Sequence, residues 1–144
     1  MARSSKSTTK KGNVQYLNPD GLPKNPAFTN VVTVTGPVKT VYIGGQNAVD
    51  ASGAIVGKGD LKAQTEQILK NIQAALAAAG AQSEHVVKWN IYVVEGQSIE
   101  EGFAAFQSVC GNPPNPPTIS VMFVSGLAHA DFLVEMDGIA VVPE

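Results

Sequence analysis

Few side chains in this chain have both a reactive type and a spacing that chemistry can use. Glu135 is a carboxylate, a type able to orient or activate a water. It also alternates with Val134 and Met136, followed by Asp137, as on the solvent side of any strand, so both readings stand. The two histidines, His85 and His129, lie in connections and belong to no Ser/His/Asp triad or metal-ligand spacing. Cys110 falls at a helix end with no histidine near it in sequence, which suits a packed thiol better than a nucleophile. Gly44-Gly45 is accompanied by neither a lysine nor a GxGxxG spacing, so it is no phosphate loop but a turn or bulge. These residues point to no metal and no organic cofactor.

Charge narrows the partners. The chain has 144 residues, ten basic and twelve acidic. Arg3, Lys6, Lys10 and Lys11 fall in the first twelve residues, leaving six basic groups against twelve acidic ones in the remainder. A body that acidic repels a phosphate backbone, and no basic stripe interleaved with aromatics offsets it, so a nucleic-acid partner is not expected. No apolar run approaches the roughly 20 residues of a membrane span, and Met1-Ala2-Arg3-Ser4 lacks the apolar segment of a secretory signal. A lone cysteine suits a reducing cytoplasm.

The elements that would position these groups follow from apolar spacing. Residues 1–13, rich in Ser, Thr and Lys, have nothing to bury and are expected to be a disordered basic tail before one domain over residues 14–144. Val14 to Leu17 reads as a short edge strand. Val31-Val32-Thr33-Val34-Thr35 and Thr40-Val41-Tyr42-Ile43 read as a hairpin joined at Gly36-Pro37. Asp60 caps a helix that ends at Gly80, with Leu61, Ile68, Leu69, Ile72 and Leu76 on one face. A strand over Val86 to Val94 turns Val87, Trp89, Ile91 and Val93 to one side. Ser98-Ile99-Glu100-Glu101 has the form of a capping box before a helix bearing Phe103, Phe106 and Val109. Strands over Ile119 to Val124 and Leu133 to Val142 close the chain. This order implies an α+β fold: a mixed sheet with both helices on one face and an uncovered apolar face opposite, which self-association would bury.

In order and spacing, Ile43-Gly44-Gly45-Gln46, the Asp60-capped helix ending Ala78-Ala79-Gly80, Val87-Lys88-Trp89-Asn90-Ile91-Tyr92-Val93 and the ending Leu133 to Ala140 resemble the RidA/YjgF reactive-intermediate deaminase family. The likeness runs from about Leu17 to Val142. Its most specific part is a signature of proline, a small residue and arginine, followed later by an apolar-Glu-Met/Ile run. Pro117-Thr118-Ile119-Ser120, Leu127 and Val134-Glu135-Met136 keep that spacing, with Ile119 in the arginine position. Arg3 is the one arginine in the chain.

The resemblance implies a chorismate-mutase-like fold, a homotrimer and a small-molecule cleft at each subunit interface, lined here by Phe28, Gly44, Gly45, Ile119, Val121 and Glu135. It implies hydrolysis of enamines or imines to a 2-keto acid and ammonia. In that chemistry the arginine grips the substrate carboxylate, and the Gly45 backbone and Glu135 orient water. A guanidinium suits the two-pronged contact; isoleucine selects against a free carboxylate. Gly44 stands where relatives often carry serine, and Phe28 where many carry a tyrosine. Lys88 is the one strand lysine in a place to face a cleft, and a solvated strand position explains it more simply. Two functions remain open: a hydrolase or deaminase with altered specificity, and a non-catalytic small-molecule-binding or scaffold trimer.

Overall fold

Period-two and period-3.6 apolar patterns partition the chain in the order that the sequence suggests. The computed structural model describes residues 11–144. Its strands are β1 (Asn13–Leu17), β2 (Val31–Thr35), β3 (Val38–Gln46), β4 (Val86–Val94), β5 (Thr118–Val124) and β6 (Val134–Pro143). Its helices are α1 (Leu61–Ala78) and α2 (Ile99–Cys110). Most of the expected basic tail lies outside the described residues. At the boundary, Asn13 already begins β1, and Gly12 donates its N–H to the Glu144 carbonyl at 3.3 Å.

Strands β3-β6-β4-β5 form one mixed sheet, while β1 and β2 form a separate antiparallel ribbon. Only β4 and β5 run parallel, and α2 is the crossover between them. The expected β2–β3 hairpin is therefore a correction: β2 pairs with β1, and β3 pairs with β6 from Val38 opposite Pro143 to Ile43 opposite Gly138. The Gly36-Pro37 joint explains it. Gly36 is left-handed at φ 79, and the Pro37 carbonyl accepts from the Glu144 N–H at 3.0 Å, which leads β3 along the C-terminal strand instead of back along β2.

The α1 stripe expected from spacing is the core: Ile68, Leu69, Ile72 and Leu76 are 2% exposed or less. Each such burial contributes about 1.5–3 kcal/mol over leaving the side chain in water. Asp60 accepts from the Ala63 N–H at 3.1 Å. At the other end Gly80 (φ 71) allows the Ala81 N–H to reach the Leu76 carbonyl at 2.8 Å, a Schellman closure. Gln64, fully buried, gives two hydrogen bonds to the Gly57 and Asp131 carbonyls and takes one from the Leu133 N–H, tying the loop before β6 to the helix. The capping box at Ser98 is not formed. Its hydroxyl donates to Glu100 at 3.0 Å and caps no backbone N–H.

Helix α2 meets the sheet through Phe106, edge-on to Trp89 with ring centroids 6.3 Å apart. Trp89 in turn occupies the space that a side chain at 138 would need: a Cβ on Gly138 would stand 2.8 Å from the ring and 2.8 Å from the Lys88 carbonyl oxygen. Backbone and a packed ring cannot both yield. Gly138→Ala is expected to cost about 1–3 kcal/mol of unfolding free energy, read as a lower urea midpoint at unchanged m-value; an unchanged midpoint would mean that β4 and β6 are not held this closely.

Candidate functional site

The parallel β4–β5 crossover places α2 over the same sheet face as α1, but α2 does not fill it. Between α2, α1 and strands β4, β5 and β6 lies a cavity of about 570 Å³. Its sheet wall is Ile91, Val93, Ile119, Val121, Val134 and Met136. Helix α2 supplies Ile99, Phe103 and Phe106, and Phe28 closes one side from the loop before β2. Among the described residues no basic side chain lines it. The polar lining side chains are Thr65, Glu100 and Gln107. The edge near its mouth is apolar as well, with Val121 41%, Phe103 44% and Phe123 52% exposed.

The six residues expected to share one cleft divide between the two sheet faces. Phe28, Ile119 and Val121 line the cavity. Glu135 lies on the opposite face, because its neighbours Val134 and Met136 point into the core. There it sits against Gly45, where an added Cβ would stand 2.8 Å from the Glu135 Oε2. Gly44 is open to solvent at the same strand end, where the β3–β6 register slips between Ile43 and Gln46. Within one chain, then, Ile119 and Glu135 cannot touch one ligand.

That second face is more polar than the sequence suggested. Tyr92 pairs across the strands with Glu135, and Asn90 with Asp137, whose carboxylate accepts from the Asn90 side-chain amide at 2.8 Å. Partial desolvation first, then the Asp137 charge, its hydrogen bond and Glu135, hold the Tyr92 phenol above the usual tyrosine range. Neither Asn90 nor Tyr92 was singled out from sequence, since period-two alternation marks a face without naming its cross-strand neighbours. Phe103 and Phe106 were visible as a helix face, but not the gap beneath them.

The remaining candidates have structural roles. His85 accepts the Gln82 N–H at 2.9 Å, and His129 accepts the Asp131 N–H at 3.0 Å. Burial pushes the Cys110 thiol up, away from the reactive thiolate. Among the described residues no group of three or more His, Cys, Asp or Glu could hold a metal ion, and no helix is long and apolar enough to cross a membrane.

A raised phenol gives a signed expectation. The neutral form is favoured on folding, so the stability it contributes is full below the ordinary tyrosine range and is lost as pH climbs through the raised value. Asp137→Asn removes the charge but not the desolvation. Absorbance titration near 295 nm, with Tyr92→Phe as the blank, should show the Tyr92 pKa fall part of the way back; no movement would assign the shift to burial alone.

Comparison with known proteins places this geometry. A family model described as Endoribonuclease L-PSP matches residues 23–142. A RutC family protein of Pyrococcus abyssi is 31% identical over 100 residues, 69% of this chain and 76% of its own length. Protein DfrA of Myxococcus xanthus is 32% identical over 105 residues, 72% of this chain and 76% of that one. The crystal structure of YyfB of Yersinia pestis, from the conserved Rid family, superposes with a TM-score of 0.79 at 32% identity, covering 90% of this chain and 99% of that one. The YjgF gene product of E. coli superposes at 0.63 with 26% identity, over 71% of this chain and 80% of its own. With the family model, the relatives and the solved folds in agreement, the chain belongs to the RidA/YjgF family.

Proposed function

We propose that the protein is a trimer that binds a small, largely apolar or neutral molecule in the cavity beneath α2, with a second copy closing the mouth. The observation that carries this reading is Ile119 in the wall of a cavity that, among the described residues, no basic side chain lines. An anion placed there would be desolvated without a partner, at a cost of several kcal/mol. Family chemistry on carboxylate-bearing imines needs a cation at that position, and this chain offers isoleucine.

Self-association joins the two halves. The apolar rim at Phe103, Val121 and Phe123 needs cover, and the Gly44–Gly45–Glu135 face of a neighbouring copy would bring the carboxylate that a chain cannot turn upon its own cavity. With Glu135 so placed, hydrolysis or deamination of a neutral imine or enamine is the catalytic form of this function. Without it, the trimer is a binder. The acidic body and the engagement of both histidine Nδ1 atoms with backbone N–H groups speak for a small-molecule ligand over the RNA named in the family description. The lone, burial-raised Cys110 fits a cytoplasmic setting.

Assembly is the first test. Light scattering on the purified chain should return a trimer, or a multiple of one; a monomer at the 15.0 kDa chain mass would end the shared-cleft reading.

Ile119→Arg tests the cavity itself. Wild type should neither bind 2-oxobutyrate nor release ammonia from 2-aminoacrylate-type imines. The variant should melt lower, because it buries an unpaired charge, and should regain stability with 2-oxobutyrate as a charge-assisted pair forms, worth about 1.5–3 kcal/mol. Wild-type turnover comparable to an arginine-bearing relative, or a variant indifferent to the keto acid in calorimetry, would take residue 119 out of the binding site.

A further inference from the structure

We infer that the ligand of the α2 cavity is an aromatic molecule carrying a hydrogen-bond donor, an N–H or O–H, and no carboxylate; this rests on the binding function proposed above and names the ligand class. The walls set the first half of that description. Phe28, Phe103 and Phe106 surround the cavity, and the Met136 side chain forms part of its sheet wall. Rings and a thioether favour an aromatic guest through edge and stacking contacts. A volume of about 570 Å³ lies within the range of small-ligand pockets and far exceeds what a four-carbon keto acid fills.

The polar groups set the second half, because Thr65 and Glu100 offer lone pairs rather than protons. Thr65 is 4% exposed, and its hydroxyl hydrogen is committed to the Leu61 carbonyl at 2.8 Å. Its oxygen can only accept from a guest. That oxygen lies 4.0 Å from the place of a Cβ on Gly102, another residue of the lining, so it stands where α1 and α2 approach each other. Glu100 is a carboxylate, an acceptor without a proton. It also takes a hydrogen bond from its own backbone N–H at the start of α2 and one from Ser98, so the end of the helix that would attract an anion already has one. Gln107 spends one amide N–H on Asn112 at 3.2 Å and keeps its second N–H and its carbonyl, but it is exposed, so Thr65 is the buried polar group of the lining. A guest carboxylate would meet the Glu100 charge and the Thr65 lone pair; a guest N–H or O–H would meet a buried acceptor in an apolar wall. Sites that pair a buried polar group discriminate strongly against analogues that leave it unpaired.

Three matched probes decide it by isothermal titration on the full chain: indole, 1-methylindole and indole-3-carboxylate. Indole should bind about tenfold tighter than 1-methylindole, the equivalent of one hydrogen bond, and indole-3-carboxylate should not bind measurably. Thr65→Val should reduce the ratio of the two neutral probes to about twofold or less while leaving 1-methylindole affinity unchanged, and Thr65→Ser should restore the ratio. Equal binding of indole and 1-methylindole by wild type would overturn this inference and leave the neutral-ligand function standing. A ratio that survives Thr65→Val would trace the preference to the bulk of the methyl group and overturn it as well. Binding of neither neutral probe, or tight binding of the carboxylate, would remove both the inference and the function beneath it. If the valine variant does not fold, Thr65→Ala removes the same hydroxyl, and a ratio that stays near tenfold in it would overturn the inference.

Discussion

The close approach of β4 and β6 at Gly138, with the Trp89 ring in the space of the missing side chain, is the contact around which the other layers are arranged. It is central because three demands meet there. The two strands must pair antiparallel, the core-facing ring must lie over their backbone, and its edge must receive Phe106 from α2. The ring seated against Gly138 is also the one that Phe106 of α2 packs on. The cavity lies between that helix and the sheet, with Ile99, Phe103 and Phe106 in its lining beside the small Gly102 and Ala104.

The same sheet carries two chemistries on its two faces because strand side chains alternate. Toward the helices it is hydrocarbon, with Ile91, Val93, Ile119, Val121, Val134 and Met136 in the cavity wall. Away from them Asn90, Tyr92, Glu135 and Asp137 form a polar patch with mutual contacts and a raised phenol. A site drawing on both faces cannot exist in one chain, since a strand residue serves only one side. That constraint, and the apolar rim along β5, make assembly a condition of the shared cleft and not an embellishment of it.

Much of this architecture was legible in the residues. The α1 stripe from Leu61 to Leu76, the Asp60 and Gly80 caps and the alternation of β4 follow from local rules of helix and strand, which depend on nearest neighbours in sequence. The signature from Pro117 to Met136 was likewise visible, with Ile119 inside it. Where local signals were weak, they misled. Gly36-Pro37 looked like a hairpin joint, yet the partner of β3 is the distant β6, because strand pairing is settled by which long register closes best. Ser98 and Glu101 had the spacing of a capping box, but the Ser98 hydroxyl turned to Glu100 instead.

What the sequence determined by itself was composition: an isoleucine at position 119, a phenylalanine at position 28, a single arginine at position 3, and an excess of acidic over basic residues after the first twelve. What the tertiary structure alone decided was which of those residues share a space. Phe28, Ile119 and Val121 come together with Phe103 of α2, while Gly45 and Glu135 meet on the reverse side, and Thr65 emerges from the α1 core face as a buried acceptor in the cavity wall. Alternation tells that Glu135 and Val134 point apart, but the side on which residue 119 falls depends on the parallel register of β5 against β4, Ile119 opposite Trp89. Register between segments 30 residues apart is a long-range property set by the packing of α2 and the Trp89–Gly138 contact, and no local spacing encodes it.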